Sequence, residues 1–353
     1  MMKFTVIGRD AAKSIDWLKK RVNSRKGSYG NNLCHINASG DSVTLTVMNL
    51  EGGFFARATI DALVGHVGSA LLPLSSLKDA FSNPKKELIC VEQQGVFVAV
   101  VREEAKSFIK ISTEEFPPFP QLPEKRLVGD QFQALMRAAV VQTDNNPEKH
   151  ILSGINLCNA NGRLTVVGAS SYTMSVGRTV CSEGDFNVVI PAKTCGSDSP
   201  FSIGVNDKNY VLFFDAGVVV GFPMEGKYPD YQHIEDGYRV VGETRLSKTA
   251  LVGSLKRASA SAGKGQFSFQ MELHSDRLVV HVRGNNGQTQ ASCPANGNGN
   301  DLVQVDKILL KILENAPAEW VTLQHESEKQ ALRVVNENGS WASYVMPIRG
   351  VRR

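Results

Sequence analysis

Cys34 and His35 form the only adjacent thiol–imidazole pair in the chain, which makes them the first candidates for nucleophilic chemistry. On a strand their side chains would point to opposite faces, so they could not work together as nucleophile and base. Gly263-Lys264-Gly265 sets small residues beside a cation as a phosphate-binding loop does, but it lacks the Gly-x-x-x-x-Gly-Lys-Ser/Thr spacing that builds a backbone cradle. The chain also has no Gly-x-Ser-x-Gly elbow and no His-Glu-x-x-His motif. Six cysteines (Cys34, Cys90, Cys158, Cys181, Cys195 and Cys293) include no Cys-x-x-Cys pair, so neither a zinc site nor a disulfide framework is indicated. They read as reduced and mostly buried. These residues lead us to expect no catalysis, no metal and no cofactor, which leaves binding.

The distribution of charge points to what is bound. A net charge of +4 is too small to identify a nucleic-acid binder by itself. Five amphipathic stretches, 10–26, 75–82, 130–142, 247–259 and 306–316, hold thirteen Lys or Arg against six Asp or Glu. The basic set is Lys13, Lys19, Lys20, Arg21, Arg25, Lys26, Lys78, Arg137, Lys248, Lys256, Arg257, Lys307 and Lys311, and the rest of the chain balances 26 basic residues against 29 acidic ones. Taken singly, each cation reads as an ordinary solvated helix face. Gathered on helices, they read as a lining that attracts phosphates through long-range, salt-screened forces without reading bases. A second binding candidate is Tyr344-Val345-Met346-Pro347-Ile348-Arg349. Chain ends are normally frayed and polar, so this apolar run with its fixed-φ proline reads as a segment held against the body. Taken alone, Met346 and Ile348 read as core.

The elements that must position these residues follow a pattern that returns three times. Asp10, Asp130 and Ser247 are candidate N-caps spaced 120 and 117 residues apart, each after a short strand. The helices they open carry apolar stripes: Ile15, Leu18 and Val22; Phe132, Leu135, Met136, Ala139 and Val140; Leu251, Val252, Leu255 and Ala258. Strand-like runs follow, such as 42–48, 163–167 and 277–283. A second helix is expected over 75–81 in the first repeat and over 306–315 in the third. In the middle repeat, Val188-Val189-Ile190-Pro191 runs instead into 192–200, too rich in Gly, Ser and Pro for a full helix. Phe116-Pro117-Pro118-Phe119-Pro120-Gln121-Leu122-Pro123 and the stretch from Tyr228 to Gly237 read as the crossings between repeats. The start of the chain lacks a long apolar core and no run of 18 apolar residues occurs, so a cytoplasmic protein without a membrane partner is expected.

Met2-Lys3-Phe4-Thr5-Val6, Glu115-Phe116-Pro117, Leu152-Ser153-Gly154, Val189-Ile190-Pro191, Gly226-Lys227-Tyr228-Pro229-Asp230-Tyr231 and Val345-Met346-Pro347-Ile348-Arg349 appear in one order along the chain. In that order they resemble the bacterial DNA polymerase III β subunit, the β sliding clamp, over essentially the whole chain. The resemblance implies an α+β, three-domain clamp with domains at 1–122, 123–238 (one helix short) and 239–353. Each domain would be a pair of β-α-β-β-β units, with helices lining a ring and sheets outside. It also implies a homodimer that encircles duplex DNA without sequence preference, is not itself an enzyme, and tethers DNA polymerase and other clamp-motif proteins after a clamp loader has opened it. Such a protein would be nucleoid-associated. The alternative is a clamp-fold interaction scaffold that does not encircle DNA.

Carried over residue by residue, the resemblance places DNA contacts at Arg25, Lys149, His150 and Lys193. It places a partner-peptide pocket at Leu152, Ala169, Ser171, Tyr172, Thr173, Met174, Pro229, Ile234, Tyr344, Met346, Pro347, Ile348 and Arg349. A subunit contact would join the edge strand near Phe108 to the region of Ala260 and Gln266 to Phe269 in the partner copy. The chain is divergent: Ala169-Ser170-Ser171-Tyr172-Thr173-Met174 stands where the family usually has Thr-Asp-Gly-His-Arg-Leu, and the chain runs on past Arg349 as Gly350-Val351-Arg352-Arg353.

Overall fold

The computed structural model describes all residues except 23–31, 51, 84–85, 104, 145, 183, 197, 263–266, 285–286, 299–300, 327–329 and 349–353. The chain begins with β1 (Lys3–Ile7), α1 (Gly8–Lys19), β2 (Leu33–Ser39), β3 (Ser42–Asn49), β4 (Phe54–His66), β5 (Gly68–Pro73) and α2 (Leu74–Ala80). Strands β6 (Leu88–Gln94), β7 (Phe97–Val101) and β8 (Lys106–Lys110) complete the first stretch. The middle stretch holds α3 (Phe132–Val140), β9 (Gly154–Ala160), β10 (Arg163–Ala169), β11 (Thr173–Val180), β12 (Phe186–Pro191), β13 (Ser202–Val205), β14 (Tyr210–Phe214), β15 (Gly217–Gly221) and α4 (Tyr231–Gly237). Then come β16 (Gly242–Ser247), α5 (Lys248–Ala258), β17 (Ser268–Leu273), β18 (Arg277–Gly284), β19 (Gly287–Pro294), β20 (Asn296–Gly297) and β21 (Asp301–Asp306). The last elements are α6 (Ile308–Glu314), β22 (Trp320–His325), β23 (Leu332–Asn336) and β24 (Trp341–Val345). Among the described residues no helix is long and apolar enough to cross a membrane.

Two compact units result: Met1–Arg126 with Lys193–Pro223, and Leu127–Ala192 with Met224–Arg353. The middle stretch is therefore divided between them. After β12 the chain makes a single 3-10 turn, Ala192–Thr194, before β13, where the Gly, Ser and Pro content argued against a full helix.

In the first unit the long strand β4 joins two layers, pairing with β3 through its first half and with β1 through its second. The strands run β13-β14-β15-β4-β1-β6-β7-β8, with β2, β3 and β5 attached through β4. Alternation sets which side faces inward: Val43, Leu45 and Val47 of β3 are buried while Ser42 and Thr44 are not. Phe4, Ile15, Ile36, Leu45, Ile60, Leu77 and Val91 meet in one interior, so α1 and α2 complete the core of this unit.

The second unit has a nine-stranded sheet, β12-β9-β10-β11-β24-β23-β22-β16-β20, and a four-stranded sheet, β19-β18-β17-β21. Helix α3 lies unusually close to β10 and β11 because Gly168 and Gly177 present no side chains there. A Cβ on Gly168 would stand 2.1 Å from the Ala139 carbonyl oxygen, and one on Gly177 would stand 2.4 Å from Leu135. Trp341 is buried in β24, and its Nε1–H donates to Ser175 Oγ at 2.8 Å.

Two helix starts differ from the sequence expectation, and the third helix starts where expected but without the side-chain cap. Helix α1 begins at Gly8, with Asp10 inside its first turn, and α3 begins at Phe132, beyond Asp130. Ser247 is the N-cap of α5, but its side chain makes no capping bond. Neighbouring carbonyls replace the caps: the Gly8 N–H donates to Glu87 O and the Lys248 N–H to Glu319 O, both at 2.9 Å. Helix α4 falls in a stretch read from sequence as a crossing. It is capped by Asp230, whose carboxylate accepts the His233 N–H at 3.3 Å.

Candidate functional site

The segment after β24 is tethered at both ends. The Met346 N–H donates to Tyr172 O at 2.8 Å, Pro347 bridges Val305 of β21, and the Ile348 N–H donates to Gln304 O at 3.0 Å. This segment floors a groove of about 720 Å³, lined also by Val141 and Thr143 after α3, by Ser170–Thr173 at the β10–β11 turn, and by Asp306 and Ile308 at the start of α6. Ser170 holds the turn: its hydroxyl accepts the Tyr172 and Thr173 N–H groups at 3.3 and 3.1 Å and lies 2.9 Å from Thr173 Oγ1. Tyr172 stands on the rim with 73% of its surface exposed. At the turn Lys149 donates to Ser171, whose hydroxyl donates to Asp144 Oδ2 at 3.2 Å. The Asn146 N–H, the Ser171 hydroxyl and nearby Lys149 hold the Asp144 carboxyl below its ordinary range.

Of the pocket residues expected from sequence, Ser171, Tyr172, Thr173, Met346, Pro347 and Ile348 come together in this groove. Ala169, Met174 and Tyr344 do not: they lie in a closed cluster with Val167, Val176, Ala331 and Ala342. Leu152 packs against that cluster together with Tyr228, Tyr231 and Tyr238. Strand alternation is the cause. Met174 pairs with Tyr344 and Thr173 with Val345, so neighbouring positions face opposite ways. The cluster is fastened by Tyr238, whose hydroxyl lies 2.8 Å from Gln324 O and 2.9 Å from Ala331 O, and by the Arg178–Glu235 ion pair, which ties α4 down. Burial pushes the Tyr238 hydroxyl up to about 12. Pro229 and Ile234 are exposed and do not line the groove, and Arg349 lies outside the described residues. Val141, Thr143, Ser170, Asp306 and Ile308 were not anticipated. Asp306 and Ile308 carried a helix-start signal, but nothing local places them beside a tail some forty residues away.

The candidate DNA contacts are spread over short turns. Lys149 and His150 are exposed on the 3-10 segment Pro147–Ser153, Lys193 is exposed on the turn after β12, and Arg25 lies outside the described residues. Lys13, Lys19, Lys20, Arg137 and Lys311 are exposed and form no ion pair among the described residues. Lys78 and Lys256 are paired with Asp16 and Glu314, at 2.7 and 2.8 Å. Arg21 departs from the expected lining. It is buried between Trp17 and Phe214, with its guanidinium carbon 3.8 and 4.6 Å from the ring centres and Nη2 3.6 Å from Asp198. Burial lowers its pKa to about 10, although Asp198 opposes the shift.

Of the residues expected at a subunit contact, Phe108 and Ala260 are exposed and Phe269 is not. Phe108 is exposed on β8, a terminal strand of its sheet, with Lys106 Nζ 4.8 Å over its ring, and Ala260 is exposed on the 3-10 turn Ser259–Ser261. Phe269, however, is 0% exposed, and β17 is paired on both sides, by β18 and β21. Neither its side chain nor its backbone can meet a partner, because both are committed to the core and ladder of this unit. The terminal strand on that side is β19. Gln266 and Gly263-Lys264-Gly265 lie outside the described residues. Cys34 is buried, which pushes its thiol up to about 12, and the His35 ring stacks on Phe116 at 5.5 Å instead of approaching it.

No family model matches the chain. A β sliding clamp of Chlamydia pneumoniae is 19% identical over 258 residues, which cover 68% of this chain and 70% of that protein. The DNA polymerase sliding clamp of Bacillus subtilis superposes with a TM-score of 0.85 at 16% identity, over 99% of this chain and 100% of that one. A DNA polymerase III β subunit from Eubacterium rectale gives 0.84 at 16% identity, with the same coverage. A Helicobacter pylori β clamp bound to a DNA ligase peptide gives 0.80 at 16% identity, over 98% of this chain and all of that one. The chain has the fold of these clamps.

Proposed function

We propose that this chain, which has the fold of the bacterial DNA polymerase III β subunits, is a divergent DNA sliding clamp that encircles duplex DNA and tethers polymerases and other replication or repair proteins to it. The observation that carries the reading is the match of fold over nearly the whole chain, because encirclement is a property of an entire molecule and not of one site. The role needs no chemistry, only a topological hold and a docking site. Exposed cations that form no ion pair among the described residues, Lys13, Lys19, Lys20, Arg137 and Lys311, with Lys149, His150 and Lys193, supply the nonspecific attraction to phosphates. The groove between Tyr172 and Met346–Ile348 takes short partner segments with Leu and Phe anchors, such as those of a polymerase.

The three sequence repeats become six domains when two copies close a ring, and we place the closure between the terminal strands β8 of one copy and β19 of the other, beside Phe108 and Ala260. The decisive experiment loads the protein on nicked circular DNA and then linearises it. A clamp stays on the circle through gel filtration in high salt and leaves after linearisation. A clamp-fold scaffold that does not encircle DNA is retained on neither, and that result would overturn the reading.

A further inference from the structure

We propose that the groove selects extended partner peptides carrying a lysine or arginine beside their apolar anchors, and that Asp306 is the residue that selects them. The inference rests on the groove being the partner-docking site. Its walls are apolar at Ile308, Met346 and Ile348 and uncharged along Ser170–Thr173, and among the described residues Asp306 is the one formal charge in the lining.

The carboxylate is held in place by the fold. Asp306 ends β21, and its Oδ1 accepts the Ile308 N–H at 2.8 Å, which caps the start of α6 and fixes the group's orientation. Among the described residues Oδ2 takes part in no hydrogen bond or ion pair. Among the described residues, the cations nearby are turned to other contacts. Lys149, at the rim, is engaged by Ser171 beside Asp144, and the Lys307 ammonium lies 5.7 Å over the Phe267 ring. As far as the described residues form it, the groove is therefore apolar with a fixed negative end.

A half-buried carboxylate between apolar walls attracts a cation more strongly than an exposed one, because less water screens the pair. A glutamate at the same place in a peptide would face Asp306 with a like charge, so discrimination comes from repulsion as well as attraction.

The test titrates three fluorescein-labelled peptides with a common Leu- and Phe-bearing core, flanked by Lys, Gln or Glu, against the full chain and its Asp306→Asn variant. Asparagine keeps an acceptor for the Ile308 N–H, so α6 stays capped. The expected order is Lys over Gln over Glu, spanning about tenfold in Kd at low salt, shrinking in 0.5 M salt and collapsing to within about twofold in Asp306→Asn. Equal affinities for the wild type, or an unchanged order in Asp306→Asn, would overturn the selectivity while leaving the docking site in place. Failure of all three peptides to bind would overturn the docking site and the selectivity with it.

Discussion

Replacing Arg21 with alanine should destabilise the first unit by about 3 kcal/mol and leave DNA association unchanged. Its guanidinium lies 3.8 and 4.6 Å from the Trp17 and Phe214 ring centres, and Nη1 donates to Trp17 O at 3.1 Å. Two desolvated cation–π contacts contribute about 1–2 kcal/mol each, and a hydrogen bond from a charged donor contributes about 1.5 kcal/mol or more. Truncation to alanine adds a cavity cost of about 2 kcal/mol, because the side chain is fully enclosed. Against these stands the desolvation of a buried cation, which is what lowers its pKa to about 10 and which offsets several kcal/mol of the gross gain. Arg21→Met keeps most of the volume and removes both the cation and its desolvation, so it should fall within about 1 kcal/mol of the wild type. Urea denaturation followed by tryptophan fluorescence reads both variants, and DNA affinity at low salt is measured beside it. If Arg21→Ala matches the wild type in stability and loses DNA affinity, Arg21 belongs to a DNA-facing surface and its placement in the core is wrong.

Three further outcomes are expected. Reversing Lys149 and Lys193 to glutamate should lower the slope of log K against log salt by about 2 for DNA binding, at about 0.9 per phosphate contact, with unchanged circular dichroism; an unchanged slope would remove both residues from the DNA surface. Gly168→Ala should cost about 2–4 kcal/mol, since α3 must lift off β10 to clear a Cβ placed 2.1 Å from Ala139 O, and a melt equal to wild type would refute the close packing. Burial alone would raise the pKa of Glu337, but the Trp320 and Glu319 N–H groups, which it accepts at 2.5 and 2.8 Å, outweigh burial and leave it below the ordinary carboxylate range. A depressed folded-state pKa gives stability that is present above the unfolded value of about 4.3 and is lost as pH falls through the folded value. Glu337→Gln should therefore melt below wild type at pH 7 and converge with it near pH 3, and a gap independent of pH would count against the carboxylate.

The sequence by itself determined what local periodicity and backbone chemistry can encode. Val43, Leu45 and Val47 alternate with polar residues because a strand has two faces, and that pattern marked β3 before any partner strand was known. The stripe of Leu135, Met136 and Ala139 marked α3, and the Gly, Ser and Pro content after Pro191 marked the place where only a single turn forms. The order of short motifs carried the clamp fold. What it could not determine was which groups find distant partners. Arg21 carries the same cationic head as its exposed neighbours on α1, and only the approach of Phe214, far along the chain, turns it into core. Phe269 reads as a subunit-contact residue until β18 and β21 close on both sides of it. Met174 and Tyr344 were assigned to an open pocket, and the packing of Tyr228, Tyr231 and Tyr238 against them covers it. Asp306 and Met346 share a groove because β21 and the segment after β24 are joined by long-range hydrogen bonds, and no local pattern records such a pairing. Burial and hydrogen-bond partnership belong to pairs of segments, so tertiary structure alone decides which side chains remain free to meet a ligand.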